Sequence, residues 1–254
     1  MTSPTLELMH RHGSVRKYKA DPVPVELIET CVAAAQRAST SSNLQVVSVV
    51  AVTDAATRAR LAEICGQEHV AQAPVSLVWC ADLRRLDRAC ELRGCTQVTG
   101  YVENFLVCAV DVGIAAQNGG LAAESLGLGM CYLGSIRNNV PGVIDLLKLP
   151  RLVFPVVGMT VGWPAALPIV RPRLPTAAIL HRETYDPDPR DAALHEYDRT
   201  MIATGIYQGR QVPVPGKAGE MEDYGWLEHS ARRVSQALRT DLRLVLKRQG
   251  FPLE

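Results

Sequence analysis

Five short polar stretches hold the side chains best suited to chemistry: HGSVR at 12–16, STSSNLQ at 39–45, GQEHVAQAP at 66–74, YLGSIRN at 132–138 and RPRLP at 171–175. They supply cations and short hydrogen-bond donors from well-separated parts of the chain. A phosphate needs such groups to converge, and arginine suits it because a planar guanidinium meets two oxygens at once. Together the stretches could hold a phosphorylated, planar ligand. Taken alone, the basic run RHGSVRKY at 11–18 has two other readings: a solvated arm, or an electrostatic contact to nucleic acid or membrane.

Charge and composition narrow these readings. Lys and Arg number 27 against 26 Asp and Glu, a formal net charge of +1, so no bulk field exists to hold an extended polyanion. With 254 residues, 47% hydrophobic and 21% charged, the chain can bury a real core. The strongest apolar runs, VVSVVAV and FLVCAVDVGIAAQ, are short or carry an acid, and the start lacks a long apolar leader, so neither export nor a membrane span is expected. Seven cysteines with no C-x-x-C pair suggest reduced, mostly buried thiols in a cytoplasmic protein. The dinucleotide fingerprint, the P-loop, the H-E-x-x-H metal motif and the G-x-S-x-G elbow are all absent; GLGMCYLG follows a helix and leads into a strand, the wrong order for a dinucleotide turn. No metal site is expected.

These polar stretches need elements to position them. VPVELIETCVAAAQRA, at helical spacing, predicts a helix that ends at the polar loop STSSN. VVSVVAVTD and PVSLVWCAD read as strands, and AATRARLAEICG as a helix stopped by Gly66. VENFLVCAVDVGIAAQNGGLAAESLGLG is apolar on nearly every face, which predicts a helix inside the core or a subunit interface. MCYLGSIRNN suggests a short strand and loop, VPGVIDLLKLP a helix, and LVFPVVGMTVGWP a strand. The later composition shifts: a proline-rich run is followed by a charged helix near DAALHEYDRTMIA, a loop GRQVPVPGKAG and a closing charged segment. The organisation expected is a core over residues 1–175 and an extension over 176–254 that wraps the core or a partner subunit, one domain overall.

In order along the chain, H-x-S-[IV]-R, a Ser-rich loop ending in Leu-Gln, Gly-Gln-x-His-Val-Ala-Gln-Ala, Glu-Ser-Leu-Gly-Leu-Gly, Tyr-[IL]-Gly-x-[IL]-Arg-Asn-Asn, Gly-Trp-Pro, Pro-Arg-Leu-Pro after a basic residue, and a terminal Gln-Gly are all present. This series resembles the FMN-dependent nitroreductase family, in its branch of oxygen-insensitive NADPH nitroreductases and NADPH-flavin oxidoreductases.

The resemblance implies an α+β fold, a central, mainly antiparallel sheet flanked by helices, and a homodimer with the long apolar helix at its interface. It implies that His12, Gly13 and Ser14 meet the FMN phosphate together with Arg171 and Arg173, and that Arg16 approaches the N1/C2 side of the ring, where a cation suits the charge of the reduced form. Thr40, Ser41 and Ser42 match the family's loop beside the flavin, Gln67 a side chain hydrogen-bonded to the ring, and Tyr132, Leu133, Gly134 and Ser135 the stretch past N5 and O4. The loop from about Gly205 to Gly219 corresponds to the part of the branch that meets the 2′-phosphate of NADPH, with Arg210 the candidate contact and Arg232 or Arg233 behind it. The implied function is NAD(P)H-dependent reduction of nitroaromatics, quinones or related small acceptors by ping-pong hydride transfer through flavin N5, with no catalytic side chain; NADPH is the expected donor and NADH a second. A flavin reductase serving a partner oxygenase, or a flavin-binding module without turnover, are the alternatives. The chain departs from the branch at Gly13, where Arg is frequent, at Arg171, where Lys is frequent, and at Asn43, where an aromatic is frequent.

Overall fold

The computed structural model describes residues 2–254, which form two compact units: residues 2–170 with Arg239–Glu254, and Arg171–Leu238. In chain order the first unit holds α1 (Pro4–His10), α2 (Val25–Ala35), β1 (Val47–Val52), α3 (Ala55–Cys65), α4 (His69–Gln72), β2 (Val75–Asp82), α5 (Arg84–Leu92), α6 (Val102–Ser125), β3 (Gly129–Leu133), α7 (Val140–Leu147) and β4 (Val153–Gly162). The second unit holds α8 (Asp191–Ala203), β5 (Gln211–Pro213), β6 (Met221–Asp223) and α9 (Trp226–Val234); α10 (Leu242–Arg248) belongs to the first.

The expected α+β architecture, an antiparallel sheet flanked by helices, is present. Four strands pair antiparallel in the order β1-β2-β4-β3. β2 is buried at every residue, as a near-continuous apolar run at the centre of a sheet should be, and it bulges between Trp79 and Cys80 against β4. Helices α2 and α6 pack on one another, and Trp79 joins Val112, Ala116, Met130 and Met159 in the core under α6. A second core cluster stacks Phe105 edge-on to Phe154 and Phe251, with centroids 5.8 and 5.7 Å apart.

The terminal Gln-Gly of the sequence belongs to that cluster's surroundings. Gln249, 8% exposed, donates from Nε2 to the carbonyls of Pro150 and Val153 at 2.6 and 2.8 Å, while its own carbonyl accepts from Leu152 N–H at 2.7 Å. One residue, through its side-chain amide and its backbone carbonyl, thus satisfies the backbone where the chain enters β4.

Two expectations change. The run GRQVPVPGKAG is not one loop: its start forms β5, paired antiparallel with β6. Val212 is buried between exposed neighbours, a strand's alternation hidden by the prolines and glycines around it. Among the described residues α6 is the helix long and apolar enough to cross a bilayer, although the run was judged too short or too acidic in sequence. A core helix passes the same test, and the inward face of α6 is closed by the sheet and by α2. Helices α1 and α5 were not foreseen; both are short, and neither fully buries a residue.

Candidate functional site

The opening basic run is not a free arm. Val15 N–H donates to Met130 O at 2.9 Å, Lys19 N–H to Trp163 O at 2.8 Å, and Ala165 N–H to Lys17 O at 3.0 Å, so the run lies along β3 and the end of β4. Extended backbone alternates its side chains. Val15 is 5% exposed and seated on Gly129, while Ser14 and Arg16 are exposed. His12 turns back to α6, its Nδ1 2.6 Å from Oε1 of Glu124. The departure at Gly13 has a steric basis: a Cβ there would lie 2.8 Å from both the carbonyl oxygen of Ile169 and Cβ of Pro168. No arginine fits without moving that segment.

Two more of the polar stretches meet through Gln67 and Ser135. Ser135 Oγ donates to Gln67 Oε1 at 2.9 Å, joining two stretches 68 residues apart and leaving the Gln67 amide nitrogen free to donate. His69 lies close enough to Arg16 to feel its charge. In the structure its Nε2 is buried without a hydrogen-bond partner, and burial followed by the charge of Arg16 holds the imidazole below its ordinary range. Leu133 is buried and ends β3, and Gly134 opens the single helical turn Gly134–Asn138. A Cβ on Gly134 would meet only Arg137 Nη2, at 3.5 Å, so the backbone there is open to a neighbour. Tyr132 donates to Gln117 Oε1 at 3.3 Å; burial, then the Glu124 carboxylate, push its phenol up to about 12.

The Ser-rich loop is pinned by a residue the sequence did not single out. Asp111, 3% exposed in the middle of α6, accepts from Thr40 Oγ1 at 2.6 Å and from Ser41 N–H at 3.2 Å. Thr40 Oγ1 in turn accepts from Gln45 N–H at 2.9 Å. Between these anchors Ser42, Asn43 and Gln45 take positive φ of 48°, 55° and 53°, a conformation that side chains resist. Beside the loop lies a cavity of about 560 Å³ lined in part by Asn43, Ser48, Trp79, Arg85 and Asp111. The acid interrupting an otherwise apolar helix was the signal available in sequence.

In the second unit Arg171 and Arg173 are exposed, with Arg173 Nη1 donating to the carbonyls of Arg171 and Pro172 at 3.1 and 3.2 Å. Arg210 and Arg232, 22 residues apart by number (232 − 210), meet at one ring: their guanidinium carbons lie 5.7 and 6.0 Å from the centroid of Tyr224. Arg232 is also bound to Glu228, while Tyr207 stacks on His229 beside the same ring. The β5–β6 hairpin makes this meeting; Arg233 is exposed.

Comparison with known proteins gives the same direction throughout. The model of the nitroreductase family matches residues 9–163, and that of the nitroreductase family, C-terminal domain, residues 171–254. An oxygen-insensitive NADPH nitroreductase of Salmonella typhimurium is 37% identical over 98% of this chain and 98% of its own length. An FMN reductase (NADPH) of Bacillus subtilis is 35% identical over 97% of this chain and 98% of its length. The solved NADPH:FMN oxidoreductase from Vibrio harveyi, complexed with NAD+, has a TM-score of 0.87 and 33% identity, covering 99% of this chain and 100% of that one. By sequence models and by fold alike, the chain belongs to the nitroreductase family.

Proposed function

We propose that the protein is an NAD(P)H-dependent FMN oxidoreductase that reduces small acceptors such as nitroaromatics and quinones in two half-reactions at one pocket. The observation that supports this most is the fixed extended segment from Gly13 to Tyr18, which sets Ser14 and Arg16 outward, with Arg16 in electrostatic reach of His69, whose buried Nε2 has no partner. That donor set fits FMN: a buried imidazole nitrogen lacking a partner, a hydroxyl and two cationic or imidazole side chains are what a phosphate and an electron-poor ring require. FMN held there would supply the redox chemistry, two-electron transfer between NAD(P)H and an acceptor.

The chain's own residues bind and orient. His12 and Ser14 donate to the phosphate, and to these the resemblance adds the cations Arg171 and Arg173. Arg16 places a fixed charge on the N1 side of the ring, and Gln67, its oxygen taken by Ser135, donates through its nitrogen. Backbone at Tyr132–Ser135 passes the ring where Gly134 leaves room. Thr40, Ser41 and Ser42 present hydroxyls from the loop that Asp111 holds.

The test is optical. Purified protein should show a flavin band that bleaches anaerobically with NADPH and returns on adding a nitroaromatic or quinone; a colourless protein that neither takes up FMN nor oxidises NADPH would overturn the reading. Arg16→Ala should weaken FMN binding about tenfold, the scale of one charge-assisted contact, and lower turnover with it. Wild-type values for both would remove Arg16 from the site. We place the 2′-phosphate of NADPH at Arg210 and Arg232, so in the same titration Arg210→Ala should raise the KM for NADPH and leave that for NADH unchanged.

A homodimer is part of the proposal. Val102, Leu106, Val110 and Ile114 recur every fourth residue along α6 and stay 55, 53, 51 and 40% exposed, an apolar stripe that one chain alone leaves in water. Val110→Glu should shift sedimentation from dimer to monomer; an unchanged mass would place the interface elsewhere. Among the described residues no disulfide joins the seven cysteines, which supports a cytoplasmic location. A flavin-reductase role is the second reading, favoured by the Bacillus subtilis relative's name. Saturation by low free FMN with poor nitroaromatic turnover would select it.

A further inference from the structure

We propose that Glu124 is a positioning residue for the cofactor: it accepts the Nδ1–H of His12 and, in the FMN complex, favours the doubly protonated form of that imidazole, so that FMN binds together with a proton. The inference rests on the FMN reading above and concerns how the phosphate is recognised.

The geometry is specific. Nδ1 of His12 and Oε1 of Glu124 lie 2.6 Å apart, across 112 residues of sequence, and the Glu124 side chain is only 12% exposed against 29% for His12. Glu124 occupies the last turn of α6, where the helix dipole is negative and a carboxylate is disfavoured, and burial disfavours it again. A cationic partner offsets both penalties. Once Nδ1–H is committed to the carboxylate, the two protonation states of His12 differ in what Nε2 offers. In the neutral ring Nε2 is a lone pair, which repels a phosphate oxygen; in the cation it is a donor. A phosphate therefore selects the protonated form, and Glu124 stabilises that same form from the other side of the ring. The net change is one proton taken from solvent onto His12 per FMN bound.

Other titratable groups in this neighbourhood do not reproduce the effect. On α1 and the run after it these are Glu7, His10, Arg11, Arg16, Lys17 and Tyr18; His10 and Arg11 end the helix and are exposed, and burial pushes the Tyr18 phenol up, away from this range. On β3 they are Cys131 and Tyr132, and Tyr132, which feels Glu124, titrates only near 12. On α6 the next acid is Asp111, roughly 20 Å down the axis at about 1.5 Å per residue.

The test is equilibrium titration of the full-length apoprotein with FMN, and in parallel with riboflavin, which lacks the phosphate, between pH 7 and 9. Over this range the phosphate of FMN stays a dianion, its second ionisation lying near 6. Wild type should lose FMN affinity as pH rises, approaching about tenfold per unit for a one-proton linkage, while riboflavin stays flat. Calorimetry in two buffers of different ionisation heat should count the proton directly. Glu124→Gln should weaken FMN about tenfold, reduce the pH slope, and leave riboflavin unchanged. His12→Gln should do the same, and the double variant should be no worse than either single one. Equal or tighter FMN binding by Glu124→Gln, equal losses for FMN and riboflavin, or a flat wild-type FMN profile would each overturn the proposal. Wild type binding neither flavin is a different failure, which removes the FMN reading and this inference with it.

Discussion

Gly129→Ala should lift the segment that carries Ser14 and Arg16 off the sheet, lowering stability by about 2–3 kcal/mol and FMN affinity with it. A Cβ at this position would lie 2.5 Å from Cγ2, 2.8 Å from Cβ and 3.0 Å from Cγ1 of Val15. Val15 cannot swing clear: it is 5% exposed, β-branched and so restricted at χ1, and its own N–H is bonded to Met130, next to Gly129, at 2.9 Å. The clash is thus with the start of a side chain whose backbone is fixed to the same strand. Relief requires breaking the Val15–Met130 bond, which is what sets Ser14 and Arg16 outward. The register makes the point twice, because Gly129 pairs with Gly162, where a Cβ would lie 2.5 Å from Cδ of Pro74 and 2.9 Å from Tyr18. Urea unfolding and FMN titration check it. Val15→Ala in the Gly129→Ala background should recover part of both losses by opening the space, a coupling that two independent defects would not show. An unchanged urea midpoint in Gly129→Ala would mean that the run is not held by this contact.

Much of the fold was legible because its signals are local. β2 is a continuous apolar run and is buried throughout; α8 spans the stretch DAALHEYDRTMIA, and α3 ends at Gly66, whose φ of 62° is the left-handed stop that the glycine suggested. Elements without such signals went unread. α5 is short and fully buries no residue, and the three-residue strands of the β5–β6 hairpin sit among prolines and glycines whose ordinary meaning is loop. The candidate site shows the same division more sharply. The polar stretches could be found as stretches, yet the contacts that organise them join residues 68, 71 and 112 positions apart: Ser135 with Gln67, Thr40 with Asp111, His12 with Glu124. Periodicity carries no information over such distances. Asp111 and Glu124 were each visible as charges on an apolar helix, but what they hold is set by how α6 lies against the loop and the run. Gly13 gave the opposite case, a departure noted in sequence whose reason, the carbonyl of Ile169, needs the folded chain.

Asp111→Ala should free the Thr40–Gln45 loop and weaken FMN binding on the order of thirtyfold, while global stability falls by only about 1–2 kcal/mol. The two effects separate because two terms oppose each other in the fold and act together in the site. The loop holds three side-chain-bearing residues, Ser42, Asn43 and Gln45, at positive φ, at roughly 1 kcal/mol each, less for asparagine. Against this stand two hydrogen bonds to a charged carboxylate, from Thr40 Oγ1 and Ser41 N–H, at about 1.5–3 kcal/mol each. Those sums are close, so the loop conformation persists only while the carboxylate is present. Removing Asp111 also relieves the desolvation of an acid 3% exposed, which returns part of the lost stability. What does not return is order: Thr40 Oγ1 loses the acceptor that orients it toward Gln45 N–H, and the hydroxyls of the loop no longer face a ligand from a fixed backbone. Hydrogen exchange reads this directly. Amides across Ser41–Gln45 should exchange much faster in Asp111→Ala at unchanged rates in β2, and Asp111→Asn, keeping one acceptor oxygen, should fall between. If the loop amides stay as protected as in wild type, its conformation is set by its own sequence and Asp111 has no part in the site.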